Sequence, residues 1–68
     1  MTYEDLFKIA GSRFEAVEEA MQMMAPADLG RKDYNSIVRA YGRFCKDGNL
    51  VDFEFVAEKL SRVVGYKI

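Results

Sequence analysis

The sequence predicts an all-α fold: four helices joined as two helix-loop-helix hairpins. Three observations lead there. From Tyr34 to Leu60 apolar residues recur at steps of three and four, the spacing of one helix face. The first stripe is Tyr34, Ile37, Val38, Tyr41, Phe44 and Cys45; the second is Phe53, Val56, Ala57 and Leu60, carried on by Val63 and Val64. Between the stripes, Lys46-Asp47-Gly48-Asn49 has stop and restart chemistry, since Gly takes the left-handed conformation that closes a helix and Asn caps the next. No stretch alternates apolar and polar residues for long enough to make a strand.

The first helix is expected over Tyr3 to Ile9. Thr2 followed by Asp5 has the form of a capping box, and Tyr3, Leu6, Phe7 and Ala10 follow at helical spacing. Gly11 closes it. Ser12-Arg13-Phe14-Glu15 reads as a second capping box, so a second helix starts there. That helix places Phe14, Val17, Met21 and Met24 on one side and Glu15, Glu18, Glu19 and Gln22 on the other, until Pro26 disfavours the helical state at Ala25. Pro26-Ala-Asp-Leu-Gly30 has linker composition, with Leu29 as the apolar peg that ties it down. The third helix is expected from Lys32 or Asp33, and the fourth from Leu50 to Val64, ending at Gly65.

A chain of 68 residues, half of them apolar, fits one domain (1–68) with a thin core, so a partner that buries more surface is expected. One cysteine, Cys45, and no histidine exclude an internal disulfide and the common zinc sites. That usage fits a reducing compartment. No apolar run approaches the roughly 20 residues of a membrane span, and Met-Thr-Tyr-Glu-Asp lacks the basic and apolar regions of a signal peptide. A soluble cytoplasmic protein, monomeric when free, is expected.

The net charge of −1 hides a polarity. Residues 1–30 hold six acids (Glu4, Asp5, Glu15, Glu18, Glu19, Asp28) against two bases (Lys8, Arg13); the remainder holds more bases than acids. Overall balance argues against nucleic acid as the main partner, because counterion release needs a dense basic surface. Arg31, Lys32, Arg39, Arg43 and Lys46 nevertheless form a local basic group on the third helix. Catalysis finds no support: there is no histidine, no Gly-rich phosphate loop and no nucleophile elbow. Cys45, on an apolar face beside Tyr41 and Phe44, reads as a small buried hydrophobe. No cofactor is expected.

The stretch Phe44-Cys-Lys-Asp-Gly-Asn-Leu-Val-Asp-Phe-Glu-Phe-Val56 resembles the second half of an EF-hand lobe. A helix ending in Phe leads there into an Asp-Gly-Asn turn, an aliphatic residue, Asp-Phe, an acid and Phe. The resemblance covers Tyr34 to Leu60 and extends loosely to the first half, implying a four-helix single lobe with shortened, degenerate loops. A calcium loop needs oxygen ligands at its first, third and fifth positions, Gly at its sixth and a bidentate acid at its twelfth. Anchored at Phe44, the register puts Cys45 first. With Gly48 and Glu54 both in place, Arg43 is first and Cys45 third, with Asp47 and Asn49 following. Either register lacks its first ligand, and Ile9-Ala10-Gly11-Ser12 in the other hairpin contains no acid. No metal binding is expected. Ile9 with Leu50 or Val51 is where such a lobe would pair its two loops as short strands.

EF-hand lobes without calcium ligands resemble myosin light chains, and a lone lobe of this length resembles the single-lobe light chains of class I myosins. That resemblance implies a calcium-independent light chain on a basic amphipathic helix, the IQ motif of a myosin neck, in a cytoskeleton-associated setting. The target-helix groove would be Phe14, Val17, Met21, Met24, Ile37, Tyr41, Phe44, Phe53, Val56, Leu60 and Val63, with Glu15, Glu18 and Glu19 as an acidic rim. The alternative is a small helical regulator that docks on RNA polymerase or nucleic acid through the basic face of the third helix. Lys8 to Val17 is also reminiscent of the omega-type small subunit of RNA polymerase, over some ten residues.

Overall fold

The computed structural model describes residues 1–68 and consists of helices alone. They are α1 (Tyr3–Ala10), α2 (Arg13–Met23), α3 (Pro26–Leu29), α4 (Arg31–Asp47) and α5 (Leu50–Val64). There are five helices where four were expected, and the extra one is the presumed linker. Pro26 occupies the first turn of α3, where its fixed φ suits a helix and its missing N–H costs nothing. Gly30, at φ 82°, ends α3 and turns directly into α4, which therefore starts at Arg31, one residue before the earliest expected start. Leu29 acts as the expected peg, half-buried against the core.

The cap of α1 forms as expected. Asp5 N–H donates to Thr2 Oγ1 at 3.2 Å and Thr2 N–H donates to Asp5 Oδ2 at 3.3 Å. The expected box at Ser12 does not form. Ser12 is already helical (φ −62°, ψ −21°), and its side chain makes no cap bond. A capping side chain needs an extended backbone to aim its oxygen at the first free amides. Here Gly11, at φ 72°, makes the corner alone, and Phe14 N–H donates to its carbonyl at 3.0 Å.

The turn between α4 and α5 is two residues long. Gly48 is left-handed (φ 70°, ψ 24°), its N–H donating to the Phe44 carbonyl at 2.7 Å. Asn49 is extended and its side chain accepts from Val51 N–H at 2.8 Å. Residues Leu50 to Val64 form the expected last helix, closed by a left-handed Gly65. Ile9, Leu50 and Val51 form no strand pair, because all three are helical. The two corners meet instead through side chains. A Cβ on Gly48 would lie 2.7 Å from Met1 Sδ and 2.9 Å from Ile9 Cδ1, so both side chains sit directly on the glycine.

Long helix α5 is the hub, packing against α4, α2 and α1, while α3 rests on α4. The envelope is 31 × 21 × 18 Å, which leaves room for one layer of interior side chains. Twelve residues are buried, every one apolar. Phe14, Phe44 and Phe53 run through the middle as an aromatic row, with centroids 5.9 Å apart for Phe14–Phe44 and 4.9 Å for Phe44–Phe53. Around them lie Leu6, Val17, Ala20, Met24, Ile37, Ala40, Val56, Ala57 and Leu60. On α4 the buried line is Ile37, Ala40 and Phe44, with Tyr34, Tyr41 and Cys45 half-buried beside it; Val38, counted in the sequence stripe, faces outward.

Candidate functional site

The residues of the expected calcium register are spread over three settings. Arg43, Cys45 and Asp47 lie within α4, where Cys45 points away from the face that Arg43 and Asp47 share. Asn49 is the cap of α5. Glu54, on the second turn of α5, is bound by Arg13, whose guanidinium donates to both carboxylate oxygens, one at 3.1 Å. That hydrogen bonding holds the Glu54 carboxyl below its ordinary range and raises Arg13 further. The Arg13 guanidinium also lies 5.3 Å from the centroid of Phe53.

Of the expected groove, Phe14, Val17, Met24, Ile37, Phe44, Phe53, Val56 and Leu60 are packed against one another in the core. Met21 and Tyr41 are half-buried at its edge. Val63 stands apart, facing a shallow hollow with Asp28, Leu29 and Arg62. Glu15 and Glu19 are exposed along α2, whereas Glu18 is half-buried. Tyr3 is raised above the ordinary tyrosine value, first by desolvation and then by Glu18. Tyr41 is raised more strongly, chiefly by burial and then by the adjacent Cys45, with Glu18 and Tyr3 adding to it.

A feature absent from the expected groove lies on the outer side of the α4–α5 hairpin. Ser36, Arg39 and Arg43 of α4 face Val51, Asp52 and Phe55 of α5 across a cleft of about 380 Å³. Its turn end is closed by an ion pair in which Arg43 donates to Asp52 Oδ1 at 3.1 and 3.2 Å. The Asp52 side chain is only 16% exposed. Beyond Phe55, Lys59 Nζ lies 5.7 Å from the ring centroid. Val51 is 78% exposed and Phe55 38% exposed, outside a core that closes without them. Arg39 reaches the cleft with no carboxylate in ion-pair range. A signal for this pair was present in the sequence: Val51 and Phe55 are one turn apart and off the apolar stripe of their helix.

A second cleft, of about 430 Å³, forms where the C-terminus folds back on α5. Ile68 N–H donates to Ser61 Oγ at 3.0 Å, and that hydroxyl donates to the Ala57 carbonyl at 2.7 Å. No group of histidine, cysteine and acidic side chains is arranged to hold a metal ion. No helix is long and apolar enough to cross a membrane. No protein-family model matches the chain, and neither the curated proteins nor the solved structures contain a significant match.

Proposed function

We propose that the protein is a small helical interaction module without catalysis of its own, a regulator that docks on another protein through the outer face of α4 and α5. The observation that carries this reading is the α4–α5 cleft, where two apolar side chains stand exposed beside Arg39, which has no ion partner. An aromatic and an arginine in one depression are the residue types that anchor protein interfaces. The test is a photo-crosslinking side chain at Val51 in the native cell. A defined adduct from Val51 that is lost with Phe55→Asp and absent from a probe at Glu19 supports it. Equal labelling from both faces, or none, would count against it.

A second reading is a calcium-independent, EF-hand-like light chain that holds an IQ-type helix, as on a class I myosin neck. It is favoured by the acidic edge of α2, Glu15, Glu18 and Glu19, beside Met21, and by the aromatic row lying between the two hairpins. Binding in that mode requires the hairpins to part, so that Phe14 and Phe44 exchange one another for the target. Titrating a synthetic IQ peptide while following the methyl resonances of Ile37, Val56 and Leu60 distinguishes the readings. Saturable, wide shifts support the light chain; an unchanged core at tens of micromolar peptide removes it.

A further inference from the structure

We infer that the partner segment seated in the α4–α5 cleft is an acidic amphipathic helix of another protein. The inference rests on docking at that cleft and concerns the chemistry of what docks. On α4, Lys32, Ser36, Arg39, Arg43 and Lys46 succeed one another at steps of four, three, four and three, a single stripe running about 20 Å along the helix. Beside this stripe on α5 stand Val51 and Phe55, with Lys59 at the far end over the Phe55 ring.

The polar inventory of the cleft is donor-rich. Arg39 offers its whole guanidinium, and Arg43 spends Nε and one terminal nitrogen on Asp52 and keeps the other free. Ser36 gives its proton to the Lys32 carbonyl at 3.0 Å. Asp52 is the acid of the cleft, and Arg43 already answers it. Other acids on the two helices are engaged or set to one side: Glu54 pairs with Arg13 and Glu58 with Arg62, Asp33 lies off the cationic stripe, and Asp47 borders it at the turn end, one turn beyond Arg43. An occupant must therefore bring acceptors with negative charge at helical spacing, and an apolar side chain for Val51 and Phe55. A helix with acids flanking a leucine stripe does both. A basic helix of the IQ kind would set like charges against Lys32, Arg39 and Lys46. Nucleic acid would match the cations but leave the Val51–Phe55 pair unused.

The experiment uses the full chain and three labelled probes in fluorescence anisotropy. One is a synthetic helix with leucines at heptad spacing flanked by glutamates; the second replaces those glutamates with lysines; the third is duplex DNA. Saturable binding of the acidic helix alone is expected, weakening as salt is added and weakened about tenfold by either Arg39→Glu or Phe55→Asp. Glu19→Lys, on α2 and outside the cleft lining, should leave it unchanged. Circular dichroism of each variant checks that the helices persist, as the exposure of Arg39 and Phe55 predicts. Preference for the lysine helix or for DNA, or no binding of the acidic helix, would overturn the inference. In the last case a Val51 adduct in cells still supports docking at the cleft, so the two failures are separable.

Discussion

Arg13 joins parts of the chain that are far apart in sequence, reaching from the first turn of α2 to Glu54 on α5. Both partners are substantially exposed, so water and salt screen the pair and its worth is at most about 1 kcal/mol. The sign of its pH dependence follows from the lowered Glu54 carboxyl. The folded state binds this proton less readily than the unfolded chain, so the contribution is present above the ordinary glutamate range and is lost as pH falls through the depressed folded value. Glu54→Gln should therefore lower the melting temperature slightly near neutrality and leave it unchanged in strong acid. Tyr41 predicts the opposite limb. Burial raises its pKa, so the unfolded chain loses the phenolic proton first and stability declines from about pH 10 upward. In Tyr41→Phe the alkaline decline should be shallower, which a series of melts from neutral to alkaline pH measures.

The corner between α4 and α5 concentrates the demands on backbone conformation. Gly48 is left-handed and covered by Met1 and Ile9, so Gly48→Ala should cost about 1–2 kcal/mol for the conformation alone, with the two flexible side chains yielding to the new methyl. Asn49→Ala removes the acceptor for Val51 N–H and should cost about 1 kcal/mol. Urea unfolding measures both. Elements with two concurring signals were legible in the sequence: α5 had a cap, a full apolar stripe and a closing glycine, and its ends fall at Leu50 and Val64 as expected. Ser12 had the right letters in the wrong conformation, because capping depends on a φ and ψ that Gly11 had already settled. Pro26-Ala-Asp-Leu was hidden for a related reason. Its composition suits a loop and the first turn of a helix equally, and the half-buried contact of Leu29, a tertiary fact, holds it as α3.

At the scale of the whole molecule, the same apolar residues cannot serve as core and as open groove at once. Sequence periodicity identifies a face that is buried, but the burying surface can be the chain itself or a partner, and spacing is silent on which. Here α2, α4 and α5 supply one another, so Phe14, Phe44 and Phe53 are spent internally, while Val51 and Phe55, outside that stripe, are left for other use. A pair of substitutions separates the two roles. A 68-residue domain is expected to be stable by about 3–10 kcal/mol. Truncating a fully buried phenylalanine costs about 3–5 kcal/mol, so Phe44→Ala should remove a large part of that stability. Phe55→Asp removes a side chain already partly in water and should move the urea midpoint little, while abolishing the Val51 adduct. The comparison also bears on the light-chain reading. If the hairpins stood apart in solution, Phe44 would keep Phe53 of its own hairpin but lose Phe14, and its truncation would cost less than that of a fully buried phenylalanine. A Phe44→Ala midpoint lowered by the full cost of a buried phenylalanine therefore requires a closed interior, and would make the cost of parting the hairpins part of any affinity for an IQ-type helix.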